Sequence, residues 1–185
     1  RIAVISSSKA AGLQDFLQEL TTNQYDYDIK YHLFEAAMQG QFSEKEIISA
    51  LREIEKQKGN FDAVVLIRGG GSKLDLSGFD SLKICQTLAN FPLPILTGIG
   101  HEIDESISDL VAHSSLKTPT AVATFLIERF LNYELKINQL HQLIGQNTQS
   151  VLNRNSQFLE QLEQGVKYTV KTQLFNAERM VDYID

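Results

Sequence analysis

The sequence predicts an α/β fold: a four-stranded, mainly parallel sheet with helices on both faces, followed by a long helical, coiled-coil-like extension. Three observations predict it. Short apolar, β-branched runs (Ile2 to Ile5, Asp62 to Ile67, Pro94 to Gly98) alternate with segments whose apolar residues recur at helical spacing. The links between them are short, which suits right-handed crossovers within a parallel sheet. From Thr118 onward the strand signals stop and a single helical repeat takes over. The expected division is therefore 1–117 as α/β core and 118–185 as helical extension.

Arg1 to Ser8 reads RIAVISSS, a strand buried on both faces with its C-terminal loop. From Ala10 to Leu20 the apolar Leu13, Phe16, Leu17 and Leu20 fall on one helical side, so Asp15 projects from another face of the first turns. Tyr27 to Phe34 alternates, as expected for a strand nearer an edge. Ser43 and Glu46 stand at capping-box spacing before a helix expected from about Glu44 to Lys58. Asp62 to Ile67 is the third strand. Ser77 to Phe91 is expected to be helical with Phe79, Leu82, Ile84, Cys85 and Leu88 inward, and Pro94 to Gly98 is the fourth strand. Thr118-Pro119 has the chemistry of a cap and first helical residue. An unbroken helix of roughly 65 residues would be about 100 Å long and would need a partner to cover its apolar residues. A helical hairpin turning near Gly145 to Asn147 is the competing arrangement.

Composition bounds the chemistry. The 185 residues carry a net charge of −6, with 11 Lys/Arg against 16 Asp/Glu in residues 1–117, which argues against strong nonspecific nucleic-acid binding by this chain alone. The single Cys85 excludes an internal disulfide and a cysteine zinc site. No run approaches the roughly 20 apolar residues of a membrane span. Arg1 directly precedes an apolar run, so no signal peptide is read there; a cytoplasmic location and a piece of a longer chain are expected.

Ligands of a doubly wound, Rossmann-like sheet bind beyond the carboxyl ends of its strands. Ser6 to Ser8, Arg68 to Ser72 and Thr97 to His101 follow strands one, three and four, so three loops converge on one rim. Gly69, Gly70 and Gly71 let backbone N–H groups approach a phosphate, Arg68 can hold it through two parallel hydrogen bonds, and Ser72 closes the loop. The loop lacks the Gly-Lys-Ser/Thr ending of a Walker site, and a glycine-rich turn serves structure as readily as binding. In GIGHEIDESISD, His101 and Asp104 form a His-carboxylate pair suited to general acid–base work, whereas Glu102, Glu105 and Asp109 suit solvated or capping roles. The same residues with Asp15 could instead ligate a divalent ion. His32, His113 and His141 have no comparable setting.

The strings RGGGS, GHEIDESISDLVA and TPTAVA, following the opening IAVISSS…GLQDFL, resemble the exodeoxyribonuclease VII large-subunit family over Arg1 to about Phe130. The long helix resembles that family's coiled-coil continuation. Two stretches depart from the pattern: Ser7-Ser8-Lys9, where relatives have a Ser-Pro-Thr-Gly turn, and Leu116-Lys117 before Thr118. The resemblance implies an exonuclease that degrades single-stranded DNA to short oligonucleotides without an obligatory metal. It implies Asp15, Arg68, His101 and Asp104 as catalytic residues, and a partner in the form of a small helical subunit, docked through residues 118–185. Self-association of the long helix is the other expected use of that surface. The family's amino-terminal oligonucleotide-binding domain has no counterpart in this sequence. A noncatalytic phosphate-binding or scaffold module and a metal-dependent phosphoesterase are the alternatives.

Overall fold

The computed structural model describes residues 1–69, 78–99 and 106–181. In chain order it contains β1 (Ile2–Ser6), α1 (Ala11–Thr21), β2 (Tyr31–Glu35), α2 (Ser43–Lys56), a 3-10 turn (Lys58–Asn60), β3 (Ala63–Ile67), α3 (Leu82–Ala89), β4 (Ile95–Gly98), α4 (Ile107–Val111), β5 (Ser114–Ser115) and α5 (Pro119–Val181). The sheet has five strands, not four, in the order β2-β1-β3-β4-β5. Every adjacent pair is parallel. This is the second common doubly wound order rather than the one that runs 3-2-1 from the first strand, and it puts the reversal of winding between β1 and β3.

Two apolar layers follow from strand alternation. Ala3, Ile5, Val64, Leu66 and Ile95 meet α2 and α3 through Ile47, Leu51, Ile54, Ile84 and Leu88. Ile2, Val4, Val65, Ile67 and Leu96 meet α1 and the start of α5 through Leu13, Phe16, Leu20, Val122 and Leu126. The first turns of α5 thus complete the second layer, and the first compact unit is Arg1–Asn132. Thr118 accepts a hydrogen bond at its Oγ1 from the Ala121 N–H at 3.1 Å, the cap expected for this helix.

Several local expectations are corrected. The strand expected from Tyr27 begins at Tyr31, because Asn23 Oδ1 accepts from the N–H groups of Tyr25 and Tyr27 and wraps the preceding residues into a turn. Glu46 does not close a capping box with Ser43; its carboxylate accepts from Ala37 N–H at 2.7 Å and so pins the β2–α2 loop. Leu82 is 70% exposed rather than inward. Asp109 does form a capping box, with Ser106 at the start of α4. β5 pairs Ser114 and Ser115 with Leu96 and Thr97.

The second unit, Tyr133–Asp185, is helical through Val181, with no turn at Gly145 to Asn147. Leu140, Ile144, Val151, Phe158, Leu162 and Val166 are all exposed. Among the described residues, no helix is long and apolar enough to cross a membrane.

One cross-link between α2 and α3 gives a pH-dependent expectation. Glu44 accepts from Ser81 Oγ at 2.5 Å and from Lys83 Nζ at 3.1 Å. The Ser81 hydroxyl, then the Lys83 ammonium, hold its carboxyl below the ordinary 4.5. A folded pKa below the unfolded one stabilises above the unfolded value, and the contribution is lost as pH falls through the folded value. Glu44→Gln is therefore expected to lower the melting temperature slightly at neutral pH, and this difference should close in acid. A difference that stays constant through the acid range would refute the link.

Candidate functional site

With β1 and β3 adjacent and the chain winding away from them in opposite directions, the loops at their carboxyl ends part and leave a crevice. Arg68 stands there, immediately after β3. Its backbone N–H donates to the Gly98 carbonyl at 3.3 Å, extending the β3–β4 pairing by one residue. Alternation places its side chain on the α2–α3 face of the sheet, where the residue is 6% exposed. A guanidinium so enclosed has lost most of its hydration and is strongly disposed toward anionic or carbonyl oxygen.

Helix α1 starts against this loop. A Cβ on Gly12 would lie 2.7 Å from the Arg68 carbonyl oxygen and 2.9 Å from Gly69 Cα, and one on Gly69 would lie 3.0 Å from Ala10 Cβ. Both glycines are therefore needed for close backbone approach. At Gly69 the need is packing against α1, a structural use of the glycine-rich turn.

Asp15 lies three residues beyond Gly12 and four beyond Ala11, on the same side of α1. That side runs along the beginning of α5: Gly12 is against Pro119, and Glu19 Oε1 accepts from Thr124 Oγ1 at 3.5 Å. Asp15, between these two contacts, is exposed. The structure thus brings the helix carrying Asp15 onto the Arg68–Gly69 loop, with Asp15 on the α5 side of it. His101, Asp104, Gly70, Gly71 and Ser72 lie outside the described residues.

On the other side of the β1–α1 loop is a cleft of about 360 Å³, lined by residues that include Ser7, Lys9, Ala37, Met38, Gln39 and Gly69. Its walls come from the loops after β1, β2 and β3. The sequence singled out the loops after strands one, three and four, so the β2–α2 loop is the wall it missed. The loops are tied together: Ala36 N–H donates to the Ser6 carbonyl at 3.0 Å and Ser8 Oγ donates to Glu35. Lys9 is the one charged side chain among the cleft's described lining.

Asp80 and Asp109 are spent on structure, Asp80 Oδ1 accepting from Ile107 N–H at 2.8 Å and Asp109 Oδ2 from Ser106 Oγ at 2.8 Å. Among the described residues no three His, Cys, Asp or Glu side chains stand at metal-binding spacing. The described groups are of a kind that could hold an anion: a buried guanidinium at a strand end, a helix start pressed against its loop, and a cleft whose one charged side chain among its described lining is a lysine.

The sequence model of the family described as "Exonuclease VII, large subunit" matches residues 1–185. The "Exodeoxyribonuclease 7 large subunit" of a Thermotoga species is 38% identical over 127 residues, 69% of this chain and 31% of that protein. The protein of the same name from Deinococcus radiodurans is 33% identical over 155 residues, 82% of this chain and 37% of the relative. That from Lactobacillus acidophilus is 27% identical over 178 residues, 96% and 39%. The chain spans between 31% and 39% of the length of these curated relatives.

Proposed function

Since the chain belongs to the exonuclease VII large-subunit family, we propose that it is the core in which that subunit hydrolyses phosphodiester bonds of single-stranded DNA to short oligonucleotides. The observation that carries this reading is Arg68: a buried guanidinium at the winding switch, on a loop held by the helix that bears Asp15. Arg68 and the amides of Gly69, Gly70 and Gly71, with Ser72, bind the scissile phosphate and stabilise the charge it gains as water attacks. His101 acts as general base or acid, Asp104 orients its ring, and Asp15 positions water or serves as the second proton-transfer group. Once phosphate charge is neutralised by the guanidinium and proton transfer is supplied by side chains, the reaction has no obligatory metal.

The remaining parts of the complex deliver the strand. The acidic balance of residues 1–117 supports a DNA-binding surface elsewhere in the assembly. The exposed apolar residues of Tyr133–Asp185 support docking of a small helical subunit or of a second copy in a coiled coil. The complex works in the cytoplasm.

The test is the complete complex assayed on single-stranded DNA in excess chelator. Acid-soluble product is expected to form at a rate within about twofold of the chelator-free rate, since chelation removes no group the mechanism uses. Abolition by chelator favours a metal-dependent phosphoesterase. Binding without hydrolysis in either condition favours a noncatalytic module. Robust degradation by residues 1–185 alone would contradict the dependence on the other parts.

A further inference from the structure

Lys9, Ala37 and Met38, in the cleft on the β2 side of the β1–α1 loop, have no part in the hydrolysis proposed above, and the cleft touches that machinery only at Gly69 among the described residues. We infer that it seats the nucleotide adjoining the scissile phosphate, with Lys9 holding that nucleotide's own phosphate and Ala37 and Met38 walling its sugar and base. The inference rests on the proposed action on single-stranded DNA and adds a strand-positioning residue to it.

Three observations carry it. The first is continuity: the cleft reaches Gly69, the residue after Arg68, so a strand with its scissile phosphate at the Arg68 loop has its next unit at the cleft mouth. The second is size and lining. About 360 Å³ is near the lower end of ligand pockets, which run to roughly 300–1,000 Å³, and accommodates a single nucleotide. Ala37 and Met38 are apolar, Met38 being buried, while Ser7 and Gln39 bring a hydroxyl and a carboxamide able to hydrogen-bond a sugar or base.

The third is charge. Lys9 is exposed and has no ion pair or hydrogen bond among the described residues. The carboxylate at the end of β2, Glu35, accepts from Ser8. A flexible ammonium in a cleft with no other charge among its described lining binds phosphate as a point charge. The acidic surplus of the domain does not cancel this, because exposed charges beyond about 8 Å are largely screened at physiological salt.

The experiment measures binding and hydrolysis of a short oligothymidylate by the complete complex across a salt series, comparing the parent with Lys9→Gln, Lys9→Arg and Ala37→Phe. Lys9→Gln is expected to weaken binding about three- to tenfold and to reduce the slope of log affinity against log salt by about 0.7, the share of one single-strand phosphate contact. KM rises while kcat moves less than about twofold, as for a uniform binding contact. Lys9→Arg restores affinity and slope. Ala37→Phe fills the cleft, weakening binding with the salt slope kept. If Lys9→Gln binds and hydrolyses like the parent while Arg68→Lys lowers turnover about 10²–10³-fold, the subsite is wrong and the proposed function stands. If the unsubstituted complex neither binds nor hydrolyses the oligonucleotide, the proposed function fails and the subsite with it.

Discussion

Arg68→Lys is expected to lower single-strand hydrolysis by the complete complex about 10²–10³-fold, the range seen when one preorganised donor to a developing anion is removed. The substitution keeps the charge, so its effect isolates geometry. Arginine offers a rigid planar fork that matches two phosphate oxygens, whereas lysine offers a single rotatable ammonium on a longer search. The fork matters here because the residue is 6% exposed and its backbone is fixed by the Gly98 carbonyl and by Gly12. A lysine head group at this position cannot swing out to find its phosphate. The loss should fall on kcat, since the charge a phosphate gains on attack is held only in the transition state. Thermal unfolding of the variant should stay within a few degrees of the parent, corresponding to about 1 kcal/mol or less. His101→Ala in the same assay should remove one limb of the pH–rate profile, as expected for a proton-transfer group, while Arg68→Lys leaves that limb in place. Equal kcat for Arg68→Lys and parent would end the phosphate-clamp role.

The residues that could be read in advance share a physical property: their pattern repeats within one element. β1 and β3 are runs of apolar residues because both faces are covered, and α1 repeats Leu13, Phe16 and Leu20 on one side. Arg68 could be read because a cation follows a strand directly and precedes glycine. β5 could not, since Ser114 and Ser115 belong to the sheet through backbone pairing with β4 and have no apolar signature. Nor could the cleft, whose walls come from loops after β1, β2 and β3. Ala37, Met38 and Gln39 carry no motif; they line the cleft because β2 lies beside β1 at the sheet edge, a fact of strand order that local periodicity does not encode. In the sequence Lys9 marks only a departure from a turn; the fold sets it in one cleft with Ala37, Met38 and Gln39 of the β2–α2 loop. The same limit applied to Asp15, whose distance along the chain from Arg68 says nothing of the contact between Gly12 and the Arg68 carbonyl.

That contact makes the strongest structural prediction. Gly12→Ala is expected to destabilise the α/β unit by about 1–2 kcal/mol, a drop of several degrees in melting temperature, although alanine is the better helix former. Two opposed effects decide the sign. In an unobstructed helix interior, Gly→Ala gains about 0.8–1 kcal/mol through propensity. At Gly12 the added Cβ would meet the Arg68 carbonyl oxygen at 2.7 Å, Pro119 Cγ at 2.8 Å and Gly69 Cα at 2.9 Å. None of these is the end of a flexible side chain, so relief requires moving α1, the Arg68 loop or the start of α5, and overpacking of this kind costs about 1–3 kcal/mol. Gly165→Ala is the control: it lies inside α5 with nothing within 4 Å of its would-be Cβ, and it should be neutral to stabilising by up to about 1 kcal/mol. Displacing the Arg68 carbonyl also shifts the Arg68–Gly69 loop against α1, and if that loop holds the scissile phosphate as proposed, misplacement on the order of 1 Å can cost about 10²-fold in rate. Gly12→Ala should therefore lose turnover at temperatures well below its own unfolding, whereas Gly165→Ala should keep it. Denaturant midpoints that rise equally for both variants, with hydrolysis intact, would mean that α1 does not bear on the Arg68 loop as described.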